Sequence, residues 1–70
     1  MNTKYEVLIW KKYEYKEQLG SPQQEILAKT YLKAITEYNK VDKYMCKMLM
    51  VYDSLDDDSD GEVIEEDWNE

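Results

Sequence analysis

From Lys4 to Lys16 the residues alternate between two faces, with Tyr5, Val7, Ile9, Tyr13 and Tyr15 on one and Lys4, Glu6, Lys12, Glu14 and Lys16 on the other. A period of two in residues of high β propensity predicts a long strand, bent near Lys11-Lys12. Leu8 and Trp10 interrupt the polar face. Left exposed on a lone strand they would be costly, so a neighbouring chain or the C-terminal segment is expected to cover them.

Next comes Gly20-Ser21-Pro22-Gln23-Gln24, where Ser21 can cap orphan amides, Pro22 has the φ of a first helical position and Gln24 completes a capping box. The pattern predicts a helix from this point. Its apolar stripe runs through Leu27, Tyr31, Ala34, Ile35 and Tyr38, flanked by Ile26 and Leu32, with Asn39 as a left-handed stop.

Between Lys43 and Tyr52 both periods fit. Period two aligns Tyr44, Cys46, Met48, Met50 and Tyr52, whereas period 3.6 aligns Val41, Tyr44, Met45, Met48, Leu49, Tyr52 and Leu55. A strand is preferred, because the first strand otherwise lacks a pairing partner. The expected architecture is therefore a small α+β domain over residues 1–52, strand-helix-strand, followed by an acidic, flexible tail over 53–70. The alternative is one strand plus two helices.

Charge sharpens that division. The first fifty-two residues hold all nine lysines and six acids, whereas the last eighteen hold ten acids and no lysine. Ten like charges in so short a stretch repel one another and call for solvent, a cation or a basic partner. A body of about fifty residues is close to the lower limit for a single core. Seven Tyr and two Trp supply amphipathic surface suited to an interface, so a homodimer is expected.

Absences narrow the chemistry. With no His the chain lacks the usual general base near neutral pH and the commonest transition-metal ligand. With no Arg it lacks the planar fork that reads phosphates and guanine edges, which weighs against direct nucleic-acid binding. Cys46, the only cysteine, lies in an apolar run with no activating His and reads as a small buried hydrophobe. No secretory or membrane-spanning pattern is found, so a cytoplasmic setting is expected. No catalytic constellation, cofactor or metal requirement is read from the chain, and it is expected not to be an enzyme.

The acids themselves admit several readings. Asp56, Asp58, Asp60 and Gly61 match positions 1, 3, 5 and 6 of a calcium-binding EF-hand loop, with Val63 at position 8. Asp67 takes the place of the bidentate Glu at position 12, and no exit helix follows. The preferred reading is a non-enzymatic DNA mimic, since an extended chain advances about 3.3–3.6 Å per residue and the phosphates of one DNA strand about 3.4 Å along the axis. Asp56, Asp57, Asp58, Asp60, Glu62, Glu65, Glu66 and Asp67 would carry the charge, with Trp68 as an apolar anchor to the partner. The bland alternative is a solubilising tail folded over the body lysines. Trp10-Lys11-Lys12-Tyr13-Glu14-Tyr15-Lys16 interleaves aromatics with lysines, as single-strand platforms do, but its glutamates and the net charge of −7 oppose that use.

In this combination of a tiny Lys/Tyr-rich body, the run Asp56-Asp57-Asp58, Asp60, Glu62, Glu65-Glu66-Asp67 and no catalytic site, the chain resembles the small acidic host-takeover proteins of bacteriophages. The resemblance is one of size and charge, without a shared motif. Some of that class are DNA mimics, and a Bacillus-phage member of this size inhibits the nucleoid protein HU. The resemblance implies a basic host target such as HU, or else RNA polymerase or a defence enzyme engaged through the body surface.

Overall fold

A computed structural model describes residues 3–12, 15–18, 20–53 and 61–68. In chain order the elements are strand β1 (Thr3–Trp10), a 3₁₀ turn (Lys16–Gln18), β2 (Gln24–Ala28), helix α1 (Tyr31–Lys40), β3 (Cys46–Asp53) and β4 (Glu62–Asp67). The strands form one antiparallel sheet in the order β2-β1-β3-β4. The protein is thus a small α+β domain, with four strands among the described residues where two were expected. None of its described helices is long and apolar enough to cross a membrane.

β1 is central because both of its faces carry apolar groups. Antiparallel partners share a face of the sheet, so Val7 and Ile9 on β1 join Leu49 on β3 beneath α1, which contributes Ala34 and Tyr38. The opposite face gathers Leu8, Trp10, Cys46 and Met48, with Met50 and Trp68 packed against them. Val7, Leu49 and Cys46 are fully buried, and removing a side chain such as Val7 or Leu49 from water contributes about 1.5–3 kcal/mol. The ambiguous segment is a strand since β1 offers it an eight-residue ladder from Thr3↔Asp53 to Trp10↔Cys46.

Two boundaries differ from expectation. Gln24–Ala28 is not the first turn of a helix: it pairs with β1 from Tyr5↔Ala28 to Ile9↔Gln24, and that ladder outweighs the capping box at Ser21. The helix begins after Thr30, whose Oγ1 accepts the Lys33 N–H at 3.2 Å. Nor is Asn39 a left-handed stop. The helix runs on to Lys40 and ends at Val41 in extended conformation, with the Val41 N–H donating to the Tyr38 carbonyl. Asp42 then turns the chain into β3 by accepting the Tyr44 N–H on Oδ1 at 2.9 Å.

β1 also ends earlier than the alternation implies, at Trp10, where Lys11 and Lys12 leave the sheet. The Trp10 indole N–H donates to the Gly20 carbonyl at 2.8 Å, which ties the returning loop across the end of the strand.

Candidate functional site: an acidic edge strand

The acidic segment is partly built into the sheet. Glu62–Asp67 forms β4, paired on one side with β3 and exposed along its whole length. Four of its six residues are acids: Glu65, Glu66 and Asp67 are consecutive along a strand that rises roughly 3.3–3.4 Å per residue, and Glu62 lies three positions earlier. Glu62 lies opposite Val51, Glu65 opposite Leu49 and Asp67 opposite Lys47, so these three project towards the α1 side. Glu66, opposite Met48, projects to the other. The register shifts between Leu49 and Met50, leaving Ile64 as the extra residue of a bulge. A bulge twists an edge and, with the carboxylates, discourages further strand addition there.

Three features fix this strand in place. Gly61 enters it at φ +77°, with the Tyr52 ring so close that a Cβ on Gly61 would sit 2.5 Å from Cε1. At the far end the Trp68 ring packs on Trp10, centroids 4.9 Å apart and planes inclined at 45°. Lys16 donates to Glu66 Oε1 at 2.8 Å, reaching across from the 3₁₀ turn. The first two are contacts a disordered tail would not make. Trp68 therefore has a packing partner inside the molecule, and it supplies the cover that Trp10 needs. Its indole N–H is buried without a hydrogen-bond partner among the described residues, although the Glu66 carboxylate lies close enough to feel it.

The electrostatics follow from this placement. The hydrogen bond from Lys16 holds the Glu66 carboxyl below the usual carboxylate range, opposed by slight burial and aided by the Lys16 charge. On the α1 side, burial pushes the Tyr38 phenol up to about 12, reinforced by the negative charges of Asp67, Glu65 and Glu66. Lys47 lies between these groups: it is buried, donates to the Tyr38 carbonyl at 3.0 Å and sits 4.3 Å from the Tyr38 ring centroid. That ammonium completes the last turn of α1 and stands opposite Asp67. Nothing in the pattern around residue 47 distinguished it from the solvated lysines. Only its place between Cys46 and Met48, in an apolar run, hinted at burial.

Of the predicted site residues, Asp56, Asp57, Asp58 and Asp60 lie outside the described residues. Glu62, Glu65, Glu66 and Asp67 come together on β4, and Trp68 anchors the end of the strand. The EF-hand match fits this geometry poorly, because residues 62–67 are extended and Asp67 is about 20 Å along the chain from Gly61. No group of three metal-ligating side chains is gathered among the described residues. Compared with known protein families, curated proteins and solved structures, the chain matches none.

Proposed function

We propose that the protein is a non-enzymatic DNA mimic, acting in a host cytoplasm, that occupies the DNA-binding surface of a basic protein such as the nucleoid protein HU. The observation that carries this reading is the exposed row of Glu62, Glu65, Glu66 and Asp67 on a sheet edge held at both ends. A row of carboxylates on an ordered strand presents a line of negative charge, as a phosphate backbone does, and loses less conformational freedom on binding than the same acids on a mobile tail. Asp56, Asp57, Asp58 and Asp60, which precede the strand in sequence, extend the charged stretch. Body acids such as Glu6 and Glu25 lie on the open face and add to its field.

The test is competition with duplex DNA for purified HU. Changing Glu62, Glu65, Glu66 and Asp67 together to their amides is expected to weaken HU binding at low salt by about a hundredfold, as four charge contacts of roughly 0.7 kcal/mol each would require. A second variant with Asp56, Asp57, Asp58 and Asp60 changed to Asn measures the share of the preceding segment. If both bind HU as the parent does, the mimic reading is wrong. Amide substitution is preferable to cutting the chain after Leu55, since truncation removes β4 and Trp68 and uncovers Trp10 and Met48.

A further inference from the structure

The two edges of the sheet are chemically opposite. β4 is lined with acids that would repel a second β4, whereas β2 ends the sheet with no strand beyond it among the described residues. Around Leu27 the sequence reads Glu25-Ile26-Leu27-Ala28-Lys29, which is complementary to itself in the antiparallel sense. Leu27 is 65% exposed, and Leu32 at the start of α1 is 73% exposed. Between them runs a groove of about 720 Å³, lined by Ile26, Leu27, Ala28, Leu32, Lys33 and Glu37 among others.

We propose that β2 is the seam of a homodimer, pairing with β2 of a second copy about a twofold axis through Leu27. In that register Leu27 meets its own equivalent, Ile26 faces Ala28, and Glu25 of each copy comes opposite Lys29, which lies in the bend just past the end of the other copy's strand. Directly opposed residues of an antiparallel pair share a face, so the leucine contact lies on the open side of the sheet, with the charge pairs flanking it at the strand ends. On the other side the groove of one copy runs into that of the next, which brings the two Leu32 side chains towards the seam. The pairing satisfies an edge that carries no Pro and, over residues 25–29, no net charge to protect it, and it joins two four-stranded sheets into one of eight. Charge complementarity favours a second copy, since the chain's own sequence presents the reversed order of lysine and glutamate in register with an apolar centre between them.

Light scattering of the full chain across a dilution series should give a mass approaching twice 8.5 kDa. Isotope-filtered NMR on a mixture of labelled and unlabelled protein should show contacts between copies at residues 25–29. E25K and K29E, each counted twice by the symmetry, are expected to raise the dissociation constant about tenfold, and the E25K/K29E double variant to restore it. L27K should give monomer. All three positions tested are exposed, at or just past the edge strand, and circular dichroism checks that the fold persists. A chain that stays monomeric throughout, a dimer unaffected by E25K and L27K, or intermolecular contacts confined to β4 would each overturn the proposal. None of these readouts uses a target protein, so the result is independent of the proposed function.

Discussion

Gly61 meets two demands at once, a left-handed backbone and a ring packed against it. At φ +77° an L side chain is strained, and the Tyr52 ring occupies the space a Cβ would take. Gly61→Ala is expected to cost about 1–2 kcal/mol in urea unfolding, through the backbone penalty and displacement of the ring. An unchanged midpoint would mean that Tyr52 swings away freely and that β4 is entered by another path. Tyr38 offers a different test. Its phenol is raised to about 12 in the fold by burial and then by Asp67, Glu65 and Glu66, against an ordinary value of 10.0. The fold thus favours the protonated form, so its contribution is fully present below about pH 10 and is lost as pH climbs through about 12. The urea midpoint should fall across that window, and Tyr38→Phe should flatten the fall. Tyr52, also raised, leaves a remainder. If Tyr38→Phe tracks the parent at every pH, the phenol is not coupled to folding.

At the scale of elements, alternation in β1 and the apolar run of β3 were legible, and so was Cys46 as a buried small hydrophobe. β2 was hidden because Ile26 and Leu27 fit a helical stripe as well as they fit a five-residue strand, and only the ladder with β1 separates the two. β4 was hidden by composition. In Glu62-Val63-Ile64-Glu65 the acids dominate any average, and the signal that remained was Val63, Ile64 and Trp68, apolar groups without a reason to be in a solvated tail. Trp68 turns that signal into a prediction. Trp68→Ala leaves every carboxylate in place but removes the packing on Trp10, and should destabilise the protein by about 2–3 kcal/mol. Hydrogen exchange at residues 62–67 should quicken more than at β1. If HU binding also weakens, order in the strand matters as well as charge; exchange rates equal to the parent's would show that the stack does not hold β4.

For the molecule as a whole, the proposed interfaces differ in their response to salt. Association of the acidic edge with a basic protein should weaken steeply as ionic strength rises, because counterions are released on binding. Pairing through β2 rests on backbone hydrogen bonds and leucine contacts besides its two Glu25–Lys29 pairs and should weaken far less steeply. Titrating both in one salt series separates them, and a target affinity indifferent to salt would argue against carboxylates as its source. In the paired form the two acidic rims stand seven strand spacings apart, about 34 Å, comparable to one turn of duplex.

The bulge at Ile64 and the one-sided attachment of β4 carry a last consequence. Side chains on a strand that leans on a single neighbour among the described residues are under little steric restraint, so acids other than Glu66, which Lys16 holds, can be gained, lost or moved there without repacking Val7, Leu49 or Trp10. Under the proposed function, mutational tolerance and receptor contact would coincide on the same six residues, and a lineage under pressure from a changing receptor could retune its affinity while keeping its scaffold intact.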